Sequence, residues 1–188
     1  KQQAIGIVGP NGIGKSTLLK SIIDQIPFIE GGVKFGTNVD LGYYDQELSK
    51  LSKNKTVLAK IWDLHPTMNE KDVRSILGSF LFTGNDVEKT ISSLSGGEKA
   101  RLALCKLALE RNNLLMLDEP TNHLDIDSKE VLENALIDYD GTLVFVSHDR
   151  YFINRIATSI LELSADGSKL YIGDYDYYIE KKQEEAEL

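Results

Sequence analysis

The stretch AIGIVGPNGIGKSTLLKSII (residues 4–23) changes character twice. It opens with an apolar run, Ala4 to Val8, that is too short for a typical helix. A turn-forming segment with Gly9, Gly12 and Gly14 follows. Then Leu18, Leu19, Ile22, Ile23 and, beyond the quoted stretch, Ile26 recur at helical spacing. The order is strand, glycine loop, helix. Residues 9–17, GPNGIGKST, fit the pattern G-x-x-x-x-G-K-[ST]. From average residue usage, a chance match in a chain of this length has odds of about 1%. The bland alternative is a glycine-rich turn with a solvated lysine. The flanking strand and amphipathic helix argue against it. Glycines let successive N–H groups point inward, and with the helix N-terminus they form an anion cradle. Lys15 adds a point charge for β- and γ-phosphates, Ser16 a hydroxyl for Mg²⁺, and Thr17 a hydroxyl for an inner phosphate.

Working outward, two more short apolar runs share this grammar. LLML (114–117) exits into Asp118-Glu119-Pro120, and LVFV (143–146) into Ser147-His148-Asp149. Continuous apolar runs of this length read as strands buried on both faces of a parallel sheet. Ligands bind beyond the carboxyl ends of such strands, so the polar exits are expected to converge on one crevice. A hard cation wants carboxylate oxygen, which makes Asp118 a candidate to hold Mg²⁺ through water. Glu119 could orient or deprotonate an attacking water, with His148 beside it. Gln46, after a candidate edge strand, could touch both the metal and the water. His65 and His123 read as structural.

The rest of the chain divides by composition. Residues 128–139 repeat a helical stripe through Val131, Leu132, Ala135 and Leu136. Residues 33–45 suggest a hairpin or two short edge strands. Residues 51–91 hold two candidate helices, near 56–64 and 69–82, and no strand. They read as a helical subdomain inserted into an α/β core of residues 1–50 and 92–175. SILELS and KLYIG read as a hairpin, and residues 176–188 as a charged C-terminal helix.

Residues 92–104, SSLSGGEKARLAL, pose a separate question. Ser95-x-x-Glu98 is a capping box, which by itself needs no further function. Yet a plain cap does not need Gly96 and Gly97, since glycine is about 1 kcal/mol worse than alanine in a helix. A helix N-terminus bare of side chains is a second phosphate site. The first cradle is complete, so this one makes sense for a nucleotide bound to another copy or a sister domain.

Composition bounds these readings. The 188 residues are 41% hydrophobic and 27% charged, which is ordinary for one globular domain. No apolar stretch approaches the roughly 20 residues of a bilayer span. One cysteine, Cys105, excludes an internal disulfide and fits a reducing compartment. The net charge of −8 argues against a generic basic nucleic-acid binder. Lys50, Lys53, Lys55 and Lys60 form a loose basic stretch that reads as a solvated helix face.

Taken together, GPNGIGKST, Gln46, LSGGE (94–98), LLMLDEP (114–120), TNHLD (121–125) and Ser147-His148 resemble an ABC ATPase domain in content and order. The resemblance implies a P-loop NTPase fold of ABC type. It implies ATP on Gly9, Asn11, Gly12, Gly14, Lys15, Ser16 and Thr17, with Mg²⁺ at Ser16, Gln46 and Asp118. It implies catalysis by Glu119, His148 and Gln46. A head-to-tail partner would meet the nucleotide with Ser95, Gly96, Gly97 and Asp125. EPTNHLD, SHDRYF and YIGDYDYY are similar to the ABC-F group, whose members carry two ABC domains and no membrane domain. That likeness implies a cytoplasmic protein acting on the ribosome in translation, in some cases in antibiotic resistance. The short span from Gln46 to Leu94 is more like a second ABC domain. The chain opens directly on its first buried strand and is expected to be a fragment of a longer two-domain protein; the family's upstream strands, with the aromatic that stacks on adenine, are absent, so adenine specificity has no support in the sequence. The sister domain, or a second copy of the fragment, is the expected partner. Rival readings are the ATPase subunit of a membrane transporter and an SMC-like or repair ATPase. Against the latter, no heptad run separates the motifs.

Overall fold

The computed structural model describes residues 3–22, 37–44 and 54–188. The described residues fall into two compact units. The first draws on Lys1–Tyr44, Asn112–Thr121 and Leu136–Leu188, the second on Asp45–Arg111 and Asn122–Ala135.

The first unit is built on a six-stranded sheet of order β2-β3-β4-β1-β5-β6. At its middle lies β1 (Gln3–Val8), parallel on one side to β4 (Thr142–Val146) and on the other to β5 (Ser159–Ser164). Beyond β4 come β3 (Leu114–Asp118) and the edge strand β2 (Leu41–Tyr44), both parallel. The opposite edge is β6 (Gly167–Tyr171), the antiparallel return of a hairpin from β5. The register pairs Ile7 with Val146 and Val146 with Asp118. It therefore aligns the carboxyl ends of β1, β4 and β3, and the three polar exits leave from one sheet edge.

Both faces of the sheet are covered, which explains its unbroken apolar strands. Helix α1 (Lys15–Ile22) places Leu19 against Ile7, Met116 and Val146, with Leu18 and Ile22 packed around them. Phe145 of β4 meets Phe152 edge-on at 5.3 Å, an aromatic geometry that adds to area burial. Phe152 lies on a seven-residue helix, α6 (Arg150–Ile156), whose N-cap Asp149 accepts from the Phe152 N–H at 3.1 Å. Sequence reading did not separate this element, since two turns are too short to show a period. The charged helix α7 (Tyr175–Ala186) is present as expected. It is tied down through Tyr178 to the Glu162 carboxylate, through Lys182 to the same group at 3.1 Å, and through a reciprocal Asn154–Asp176 pair. Of the suggested edge pair at 33–45, β2 alone is described. It is a parallel neighbour of β3, and residues 33–36 lie outside the described residues.

The second unit is helical. Thr56 caps α2 (Val57–Leu64) and Asn69 caps α3 (Glu70–Ser79). The second helix ends earlier than its pattern suggests. Phe80 turns the chain out, and Leu81 takes a left-handed φ of 67°. Short 3-10 turns at Gly84–Glu88 and Ile91–Ser93 lead to α4 (Gly96–Glu110). The unit thus includes α4 and the first part of α5 (Ile126–Ile137) besides the 51–91 segment. Along α5, Ser128, Leu132 and Leu136 form the buried stripe. Cys105 is fully buried, and desolvation pushes its thiol up to about 12, so it stays protonated and inert. No helix among the described residues is long and apolar enough to cross a membrane.

Truncation at the sheet–helix contact tests this packing. Phe152→Ala should lower stability by about 3–5 kcal/mol. A urea melt would read this as a lower midpoint at an unchanged slope.

Candidate functional site

At the exit of β1 the loop turns on glycine. Gly12 and Gly14 have φ of 80° and 102°, where a side chain would be strained. Gly9 is demanded by crowding instead, since a Cβ there would lie 2.5 Å from the Leu163 carbonyl oxygen. Lys15, only 6% exposed, folds back over the loop and donates from Nζ to the Gly9 carbonyl at 2.6 Å. The ammonium therefore lies over the start of the loop. Asn11 and Thr17 are exposed on the loop and the first turn of α1.

Ser16, one residue on, reaches across the edge to β3. Its hydroxyl donates to Asp118 Oδ1 at 2.9 Å. Hydroxyl and carboxylate are both hard oxygen donors, the set that a small divalent cation takes together with phosphate oxygens and water. Among the described residues there is no cluster of three or more His, Cys, Asp or Glu that could hold a metal alone. This pair therefore fits a cation that arrives with a phosphate ligand rather than one in a closed protein cage.

Next to Asp118, Glu119 sits at φ 46°, a left-handed conformation that costs about 1–2 kcal/mol for a residue with a side chain. Its N–H is held by the Val146 carbonyl at 2.8 Å, so pairing to β4 imposes the turn. That turn aims the carboxylate at His148. Oε1 lies 3.1 Å from His148 Nε2, and the His148 N–H donates to Oε2 at 3.4 Å. Burial pushes the Glu119 carboxyl above its ordinary value, with Asp118 adding to the shift and His148 and Lys15 opposing it. His148 is half exposed, presented by a turn in which the Asp149 N–H donates to Ser147 Oγ at 3.1 Å. A cleft of 460 Å³ opens beside the loop, lined in part by Gly9, Lys15, His148, Arg150, Tyr175 and Tyr178. The aromatic and basic side of this cleft carried no sequence signal, because α6 and α7 bring it in from distant segments.

In the second unit the capping box is formed. Ser95 Oγ accepts from the Glu98 N–H, and Glu98 Oε1 from the Ser95 N–H, each at 3.2 Å. Lys89 pairs with Glu98 at 3.2 Å, a support that sequence reading missed. Gly96 and Gly97 open α4, and their N–H groups are the unsatisfied donors of a helix start. Asp125 accepts from the Ser128 N–H through Oδ1 at 2.7 Å, as an N-cap does. Gln46 lies outside the described residues. Of the remaining candidates, the first unit joins the loop, Ser16, Asp118, Glu119 and His148. The second joins Ser95, Gly96, Gly97 and Asp125.

Comparison with known proteins identifies the family. The profile of the ABC transporter family matches residues 1–122. The chain is 63% identical over 186 residues to the putative ATP-binding protein YdiF of Bacillus subtilis (strain 168), covering 99% of this chain and 29% of that protein. It is 45% identical over 181 residues to ABC transporter F family member 5 of Arabidopsis thaliana, covering 95% and 26% respectively. The chain thus spans under a third of these relatives. Among solved structures, an archaeal ribosome recycling factor, aABCE1, crystallised with the ribosomal stalk protein aP1, matches with a TM-score of 0.73 at 24% identity. That match covers 97% of this chain and 37% of that one, and it speaks for the fold.

The pairing of Glu119 with His148 has a testable sign. Removing the imidazole in His148→Ala removes an interaction that lowers the Glu119 pKa, so the carboxyl should titrate at a still higher pH. A carboxyl-carbon NMR titration of Glu119 in both proteins checks the direction.

Proposed function

We propose, from the premise that this chain belongs to the ABC transporter family of ATP-binding domains, that it hydrolyses ATP within a head-to-tail pair of such domains. The observation that carries this reading is the convergence at one sheet edge of Ser16 with Asp118 and of Glu119 with His148. The loop N–H groups of Gly9, Asn11, Gly12 and Gly14, with those of Lys15, Ser16 and Thr17 at the start of α1, hold the phosphates. Lys15 exchanges its bond to Gly9 for β- and γ-phosphate oxygens. Ser16 and Asp118, with Gln46, would hold Mg²⁺, whose charge would offset that of the triphosphate.

The chemistry left to the chain is positioning and proton transfer. A water oxygen forms a bond to the γ-phosphorus as the bond from that phosphorus to the β–γ bridging oxygen breaks. ADP departs, and the water proton passes to the Glu119 carboxylate. The raised Glu119 pKa makes this carboxylate a better proton acceptor near neutrality than an exposed glutamate. His148, at 3.1 Å, fixes the carboxylate's direction and faces the γ-phosphate. From the partner domain, Ser95, Gly96 and Gly97 present the α4 entrance to the same γ-phosphate, with Asp125 at the shared interface. Binding ATP closes the pair, and hydrolysis reopens it.

The wider role we propose is that of the second ABC domain of a cytoplasmic ABC-F protein that regulates translation on the ribosome. Two things support it: similarity to an F-family protein, and likeness of fold to a recycling factor solved with a ribosomal stalk protein.

Glu119→Gln should leave ATP binding intact, cut turnover about 10²–10⁴-fold and prolong the closed pair. Nucleotide binding, steady-state phosphate release and light scattering measure the three effects, and normal turnover would remove Glu119 as the base. In the wild type, turnover should fall on the acid side with a midpoint above glutamate's ordinary 4.5, because the site works only with Glu119 deprotonated. For the wider role, the polypeptide that carries this chain should sediment with ribosomes more strongly with a non-hydrolysable ATP analogue than without nucleotide. Equal sedimentation would count against it.

A further inference from the structure

Gly96 and Gly97 stand side by side at the start of α4, yet their surroundings differ. A Cβ built at Gly96 meets nothing within 4 Å. No described part of the chain therefore requires glycine there. A Cβ built at Gly97 would lie 3.3 Å from Ser128 Oγ and 3.6 Å from Asp125 Oδ2. Contact at 3.3 Å is tighter than nine in ten real Cβ contacts, so the neighbour would have to give by a few tenths of an ångström.

The side facing Gly97 has little room to give. Ser128 is fully buried, at 0% exposure. Its backbone N–H is bound to Asp125 Oδ1 at 2.7 Å, which fixes the start of α5. The Ser128 hydroxyl, with the backbone N–H, helps hold the Asp125 carboxyl below its usual range. Even so, it makes no hydrogen bond of normal geometry to any described residue. A buried hydroxyl that lacks a hydrogen bond of good geometry calls for an explanation. The place it occupies supplies one. It crowds the position that a Cβ at residue 97 would take.

We infer that Ser128 is a positioning residue for the α4 entrance, so that Gly97 is glycine because of Ser128, whereas Gly96, which no described neighbour crowds, is left to the role proposed for it above. Ser128 touches no nucleotide. It sets how deeply the first turn of α4 seats, and hence where the N–H groups of Gly96 and Gly97 point. The functional meaning of this contact rests on the reading of α4 as a phosphate half-site, whereas the contact itself does not.

The contact predicts reciprocal rescue. Gly97→Ala pushes the first turn off its seat by adding a methyl group. Ser128→Ala loosens it by removing the Oγ that bounds the space beside Gly97. The double variant adds the methyl and removes the Oγ that would crowd it. In the full-length polypeptide that carries this chain, without nucleotide, each single variant should speed amide exchange at Glu98 and Lys99 about tenfold. The double variant should return within about threefold of wild type, a coupling typical of residues in direct contact. ATP turnover should follow the same order. Independent roles would give additive effects, and additive effects in exchange overturn the inference whatever turnover does. Should Gly97→Ala fail to fold, recovery of folding in the double variant supports the contact and failure of both overturns it. Gly96→Ala separates the two levels. It should keep wild-type exchange and lose turnover. Retained turnover in Gly96→Ala would overturn the half-site reading, while rescue in exchange would still establish Ser128 as the seat of α4.

Discussion

The hydroxyl of Ser16 and the carboxylate of Asp118 meet at 2.9 Å across 102 residues of chain. Everything in the first unit serves that meeting. Parallel pairing in the order β3-β4-β1 brings the exits of three distant strands to one edge. Burial of both faces holds the register, because a slip by one residue would exchange the side chains shaped to pack on α1 with those shaped to pack on α6. The glycine loop and α1 set Ser16 at the right height, and the end of β3 delivers Asp118. A short antiparallel arrangement could not do this, since alternate strand ends would face opposite edges.

The same edge stores strain. Glu119 is held in a left-handed conformation by the bond from its N–H to Val146. The conformation turns the carboxylate from the strand direction toward His148. Burial then raises its proton affinity while the imidazole restrains the rise. The strain, the shift and the pairing have one origin, the forced turn directly after β3. A relaxed extended residue would present the carboxylate elsewhere and leave His148 as a bystander.

Much of this was legible in the sequence for physical reasons. Strands buried on both faces leave unbroken apolar runs, so LLML and LVFV declared themselves. A capping box is a contact three residues apart, so Ser95 and Glu98 declared theirs. The loop glycines carry their reason in their spacing. Other features had no local trace. Helix α6 is too short for a period. The early end of α3 depends on the left-handed turn at Leu81, a residue type that gives no warning of it. Glu119 gives none either, because its conformation is imposed by β4. Ser128 lies 31 positions beyond Gly97, and only the fold brings its hydroxyl against the α4 entrance. The paired glycines of SSLSGGE posed a question that the sequence could frame but not divide, since the two residues look alike until their surroundings are known. The role of Gln46 still rests on its place in the motif order.

The account's central claim is that one triphosphate is completed by two domains, each supplying half of its surroundings. The most direct measurement is photo-crosslinking with an ATP analogue carrying an azide on the γ-phosphate, with the attachment sites mapped by mass spectrometry. The account predicts attachment both within residues 9–17 of one domain and at the 95–98 segment, or its counterpart, in the partner domain. Attachment confined to a single domain, with 95–98 and its counterpart unlabelled under conditions of rapid turnover, would contradict it.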